Sequence, residues 1–196
     1  MKKRTREAHR QTRETDISVK LNLDGQGSAS VGTGIGFLDH MLELFACHGL
    51  MDLEIRASGD RHVDDHHLVE DLGLCLGESI FQALGEKLSI RRYGFAVVPM
   101  DEVRAMACID ISGRPCLVLD VKTKRKKIGD FDLALFKDFF QAMVNSARMT
   151  IHLRKETGED PHHVWEAVFK AFGRALDVAT SIDNRIKGVP SSKGTL

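Results

Sequence analysis

His66-His67-Leu68-Val69-Glu70 returns as His162-His163-Val164-Trp165-Glu166, 96 residues further along a chain of 196. A pattern of metal-grade side chains repeated at close to half the chain length marks a duplication. Two copies are too few for a solenoid, so the chain reads as two similar halves. A second correspondence lies upstream. Phe37-Leu38-Asp39-His40-Met41 matches Phe136-Lys137-Asp138-Phe139 when Asp39-His40 is set on Lys137-Asp138, an offset of 98. That match puts Asp138 where the first half has His40.

The segments around these motifs read alike in both halves. Residues 15–23 alternate polar and apolar, as a half-buried strand does. Five glycines between 25 and 36 mark a turn-rich stretch. Residues 37–48 carry apolar groups at helical spacing and stop at Gly49. Residues 50–57 alternate again. Asp64 and Asp65 can cap a helix over 66–87, with Leu72, Cys75, Leu76, Ile80 and Leu84 on its buried stripe. In the second half, 95–99, 103–111 and 116–122 read as strands. A helix over 132–147 and a strand over 149–154 follow. Asp160-Pro161 then opens a helix over 162–180, with Pro at its first position. The expected class is α+β: two duplicated halves, each a small β-sheet with two helices on one face, packed together. The halves are 1–92 and 93–196, the second ending in a polar tail.

Lys plus Arg and Asp plus Glu both number 28, so the formal charge is zero. A nucleic-acid binder would carry a basic excess, so nucleic acid is not an expected partner. No apolar run approaches the ~18 residues of a membrane span. The basic stretch 1–13 has no apolar core and does not read as a secretory signal. Cys47, Cys75, Cys108 and Cys116 form no CxxC pair and read as buried, reduced thiols of a cytoplasmic protein. The basic run 122–127 reads as a solvated loop.

His66 and His67 are adjacent on one helix, so their imidazoles diverge by about 100°. They suit two metals, one each, better than a single chelate. His66 with Glu70 (i, i+4) and His67 with Glu70 (i, i+3) can share a face. His162, His163 and Glu166 repeat the arrangement. Imidazole and carboxylate without thiolate suit Mn, Fe, Co or Zn. His40 is a third imidazole, and Asp138 its oxygen-donor counterpart. His48 lies two turns beyond His40. His152 reads equally as a hydrogen-bonded core residue or a site residue. His9 and His62 read as surface groups. Arg91 or Arg92, Arg114, Lys170 and Lys193 could hold an anion, Arg114 with a guanidinium fork presented by a tight turn. Glu14, just ahead of the first strand, is a candidate base.

Further stretches complete a pattern. They are Arg13-Glu14-Thr15, Gly34-Ile35-Gly36-Phe37-Leu38-Asp39-His40-Met41-Leu42, Asp64-Asp65-His66-His67 with Glu70-Asp71, and Pro99-Met100-Asp101-Glu102. Asp110-Ile111-Ser112-Gly113-Arg114-Pro115, His162-His163 with Glu166, Phe169-Lys170-Ala171-Phe172 and Pro190-Ser191-Ser192-Lys193-Gly194 follow. In order and spacing they resemble the imidazoleglycerol-phosphate dehydratases of histidine biosynthesis. The resemblance implies loss of water from imidazole glycerol phosphate to give imidazole acetol phosphate, through an imidazolate and a diazafulvene-like intermediate. It implies two Mn²⁺ per subunit at subunit interfaces of a 24-mer built from trimers. The implied metal ligands are His40, His66, His67, Glu70, His162, His163 and Glu166, with Asp138 where the family often has a histidine. Glu14 is the implied proton-transfer carboxylate, with Glu70 and Glu166 able to share that role. The substrate would be held by Glu14, His40, His48, Arg92, Arg114, Lys170, Ser191, Ser192 and Lys193, with the tail closing over it. Many members of that family are fused to a phosphatase; 196 residues leave no room for one, so a monofunctional chain is expected. Two other readings fit the metal motif alone: a two-metal phosphate-ester hydrolase, and a non-catalytic metal-assembled shell.

Overall fold

The computed structural model describes residues 3–196; Met1 and Lys2, the start of the basic stretch, lie outside it. In chain order the elements are β1 (Thr5–Gln11), β2 (Thr15–Asn22), β3 (Ala29–Gly32), α1 (Gly36–His48), β4 (Asp52–Gly59) and α2 (His66–Leu84). Then come β5 (Tyr93–Met100), β6 (Val103–Asp110), β7 (Cys116–Asp120), β8 (Lys127–Ile128), β9 (Phe131–Asp132), α3 (Leu135–Ala147), β10 (Thr150–Thr157) and α4 (Pro161–Thr180). The first sheet is ordered β1-β2-β4-β3 and the second β5-β6-β10-β7. In both, the first two pairings are antiparallel and the last is parallel, closed by a strand–helix–strand crossover. The α+β reading and the duplicated layout hold.

Two strands of the main sheets escape sequence reading, as do the short β8 and β9. β1 falls in the basic N-terminal stretch, and β3 in the glycine-rich segment. Both lie at sheet edges, where less of the strand is buried and the alternation fades. The β8–β9 hairpin starts at Lys127, the last residue of the basic run, the rest of which lies outside any strand or helix as expected.

Each sheet carries its own helices on one face. α2 lies on β1, β2 and β4, while α4 lies on β5, β6 and β10. The two helix layers then meet in the middle of the molecule. The pairing crosses between halves: α1 packs on α4, and α2 on α3. Phe45 of α1 stacks on Phe172 of α4, with centroids 4.8 Å apart. Two glycines let the backbones approach. A Cβ on Gly173 would stand 2.4 Å from the Phe45 carbonyl oxygen, and one on Gly77 would stand 2.5 Å from that of Met143. Gly77 and Gly173 keep the 96-residue offset of the histidine motif, and Phe45 and Met143 keep the 98-residue offset of His40 and Asp138.

Asp71 anchors α2 to its sheet. Its buried carboxylate accepts from Arg10 Nε at 2.8 Å and Thr15 Oγ1 at 2.6 Å. A buried carboxylate must be paired, so β1, β2 and the start of α2 are held in one register.

The outer faces of the two sheets differ. The first presents Glu7, His9, Asp16, Lys20, Glu54 and Arg56. The second presents exposed Tyr93, Phe95, Val97 and Val118. His152 lies on that second face, exposed on β10, so it is not a core residue. Of the four thiols only Cys75 is buried, and its pKa is pushed up to about 11 by desolvation. Cys47 and Cys116 are exposed, which corrects the expectation of four buried cysteines. His9 and His62 are exposed, as expected.

Candidate metal centre

The crossed helix pairs bring the repeated motifs together in two places. At the first, His40 Nε2 of α1 and His162 Nε2 of α4 each lie 3.1 Å from Glu166 Oε1. The three donor atoms fall within 4.8 Å of one another. Lys170 Nζ donates to Glu166 Oε2 at 2.6 Å and also touches Met100 Sδ. Burial works to raise the Glu166 carboxyl. The hydrogen bonds and charges of Lys170 and His40 outweigh it and carry the pKa down to about 2.

At the second, His66 of α2 stands between two carboxylates. Its Nε2 is 3.5 Å from Glu70 Oε2, and its Nδ1 is 3.5 Å from Asp138 Oδ2 of α3. Asp138 reaches His66 from the helix equivalent to that of His40, but on the ring nitrogen opposite the one that Glu70 faces, whereas His40 and His162 both turn Nε2 to Glu166. The donor sets differ. The first cluster offers two imidazoles and a carboxylate, the second one imidazole and two carboxylates.

The helix starts fix the motifs. Asp160 accepts from the backbone N–H of His162 and His163 at 2.8 and 3.2 Å, with Pro161 at the first position. At α2 the acceptor is Asp64, bonded to His66 N at 2.8 Å, while Asp65 pairs with Arg61. His67 and His163 turn away from the two clusters, as neighbours on a helix must. His67 Nδ1 lies 3.1 Å from Asp60 Oδ2 and 3.8 Å from Glu14 Oε2. His163 Nδ1 lies 3.2 Å from Glu102 Oε2. The Asp60 hydrogen bond raises the His67 imidazole, and that of Glu102 raises His163. Sequence reading passed over Asp60 as a partner of these histidines. For Glu102 the signal was the Pro99-Met100-Asp101-Glu102 match.

The expected substrate-holding groups are not gathered at one place in the chain. Lys170 sits with Glu166, near Met100 at the end of β5. Arg92 precedes the other end of that strand, roughly 24 Å away at ~3.4 Å per residue. Arg92 Nε donates to Asp110 at 2.7 Å, and its Nη1 donates to the Pro190 carbonyl at 3.0 Å. Arg114 is largely exposed, 3.7 Å from the same Asp110. Ser191 Oγ accepts from Lys193 N at 3.2 Å, and the tail ends against Gly113. Arg92, Arg114 and the tail residues Ser191, Ser192 and Lys193 thus form a separate basic region. His48 ends α1; its imidazole is held below the usual range by burial and by the charges of Lys170 and Arg174.

The donor chemistry fits a divalent ion of the Mn, Fe, Co or Zn kind: among the described residues, donor atoms converge within 4.8 Å at His40, His162 and Glu166 and again at Glu14, Asp60 and His67, and no cysteine joins either group. A family profile described as imidazoleglycerol-phosphate dehydratase matches residues 33–176. The chain is 53% identical over 190 residues to the imidazoleglycerol-phosphate dehydratase of Acetivibrio thermocellus, covering 97% of each chain. It is 54% identical over 194 residues to that of Albidiferax ferrireducens, covering 98% of this chain and 95% of the relative. Among solved structures, the enzyme from Staphylococcus aureus superposes with a TM-score of 0.80 at 39% identity, over 91% of this chain and 99% of that one. The one from Pyrococcus furiosus, in complex with (S)-C348, gives 0.83 at 37% over 96% and 99%. These matches run through both halves and across every helix of the two clusters, and the chain belongs to the imidazoleglycerol-phosphate dehydratase family of hydro-lyases.

Proposed function

We propose that the chain removes water from imidazole glycerol phosphate to give imidazole acetol phosphate in histidine biosynthesis, in the cytoplasm, with two Mn²⁺ per subunit. The observation that carries this reading is the pair of crossed clusters, His40–His162–Glu166 and Asp138–His66–Glu70. The ions, when bound, supply Lewis acidity and a template for the ring nitrogens of the substrate. His40, His162 and Glu166 would hold one, and His66, Glu70 and Asp138 the other. Glu14 moves the proton, from the hairpin between β1 and β2. Arg92, Arg114, Ser191, Ser192 and Lys193 hold the phosphate, and Lys170 keeps Glu166 ionised beside His40.

The reading also needs a second copy of the chain. His67 and His163 face away from the clusters of their own chain. The basic region at Arg92 lies far from Lys170 within that chain. A site shared between subunits brings both kinds of group together. The exposed Tyr93, Phe95, Val97 and Val118 provide an apolar face for such association. The family resemblance implies trimers assembled into a 24-mer. A two-metal hydrolase would need its ions about 3.5–4 Å apart, and the two clusters sit on separate helix pairs.

The test is a dehydratase assay on chelator-stripped protein with imidazole glycerol phosphate, following the ketone product. Mn²⁺ is expected to restore turnover. A folded, Mn²⁺-loaded protein without turnover would leave the metal-assembled shell in its place.

The two clusters should not bind alike. Trp165 lies between the ligands of α4, and it is the only tryptophan of the chain. Its Nε1 is the one buried side-chain polar atom without a partner among the described residues. Titration of stripped protein with Mn²⁺, followed by Trp165 fluorescence and by counting bound ions, is expected to show two classes of site. Two sites of equal affinity would contradict the replacement of an imidazole by Asp138 as a difference that matters.

A further inference from the structure

Glu14 and Glu102 occupy the same place in the duplicated fold. Each ends the hairpin between the first two strands of its sheet, directly before β2 at Thr15 and before β6 at Val103. Each faces the second histidine of the following motif, His67 or His163. Their contacts differ. Glu102 Oε2 is within hydrogen-bond distance of His163 Nδ1, at 3.2 Å. Glu14 stands back at 3.8 Å, because Asp60, at the end of β4, has both oxygens on His67 Nδ1, at 3.1 and 3.3 Å.

An ionised carboxylate only accepts, so the ring nitrogen facing it must carry the hydrogen. Nδ1–H then fixes the tautomer, and the lone pair is left on Nε2. A carboxylate on the far nitrogen is the arrangement that orients a ligating imidazole and raises its basicity.

The geometry points to Glu102 and Asp60 as positioning residues that present Nε2 of His163 and His67 to metal, with Glu14, the duplicate of Glu102, released from that task for proton transfer. This rests on the metal-dependent reading above. The duplication supplied two equivalent glutamates. Only the one whose place Asp60 took over keeps a free carboxylate.

The experiment measures Mn²⁺ affinity directly, by the electron-paramagnetic signal of free Mn²⁺ over stripped protein, with no substrate present. Glu102→Ala is expected to weaken binding at one class of site by about 10–100-fold. Glu102→Gln should recover most of that loss, since its amide oxygen can accept the same hydrogen bond. Asp60→Ala tests the other histidine from a different element and is expected to weaken binding at the other class of site by a comparable factor; parent-like affinity there overturns the assignment of Asp60. Glu14→Gln is expected to stay within about twofold of the parent, because the carboxylate it changes is not bonded to Nδ1. Thermal melts of the stripped variants confirm that each is folded. Parent-like affinity in Glu102→Ala overturns the proposal. So does a loss in Glu14→Gln equal to that in Glu102→Ala, which would make the glutamates direct ligands. A parent chain that takes up no Mn²⁺ at all overturns the metal-dependent reading itself.

Discussion

Glu14→Gln is expected to lower dehydratase turnover by about 10²–10⁴-fold, the usual contribution of a positioned proton-transfer group. The change is isosteric and removes only the ability to take a proton. The Glu14 carboxylate makes no hydrogen bond among the described residues and is more than half exposed. The hairpin that carries it is fixed instead by Thr12, whose Oγ1 accepts from the backbone N–H of Glu14 and Thr15. The fold therefore does not depend on the charge. Single-turnover measurement with imidazole glycerol phosphate checks the chemical step alone. Parent-like turnover would remove Glu14 from the mechanism and leave Glu70 and Glu166 as the carboxylates to test.

Gly173→Ala should have the second large effect, on a different link of the chain from sequence to function. The new methyl would sit 2.4 Å from the Phe45 carbonyl, where ordinary contact begins near 3.4 Å. The carbonyl is helix backbone and a Cβ is fixed directly to the backbone of its own helix, so relief requires α1 and α4 to move apart by roughly an ångström. Overpacking of this kind costs about 1–3 kcal/mol. For a protein of this size each kcal/mol lowers Tm by about 2–4 °C. The same displacement pulls His40 off Glu166, so Mn²⁺ affinity should fall with the melting temperature. Gly77→Ala does the same between α2 and α3, at Asp138 and His66. A melting point and an affinity both unchanged in Gly173→Ala would show that the approach of the two backbones does not set the cluster.

The parts legible in the sequence were those where chemistry constrains residue type. The histidine motifs, their carboxylates and Asp138 stand out because two adjacent imidazoles at a repeated offset have few structural uses. The long helices and the central strands carry clean periodicity, because one face of each is buried. β1 and β3 do not, since edge strands bury less and their side chains answer to solvent. Crossing of the helix pairs was not legible: periodicity gives a helix its buried face but not the partner that covers it. For the same reason Asp60 could not be tied to His67, nor Lys170 separated from Arg92. Those relations depend on the distance across a sheet or between helices.

The His40–Glu166 contact joins residues 126 positions apart, and a ribosome adds about 5–20 residues each second. The first half therefore leaves the ribosome with His40 and no cluster to complete, and Glu166 follows many seconds later. Neither cluster can form from the first half alone, because each takes one helix from each half: the second needs α3, and the first needs α4. The His40–His162–Glu166 cluster is thus completed late, after synthesis has delivered α4, and a chain truncated before that helix keeps His40 but lacks both of its partners.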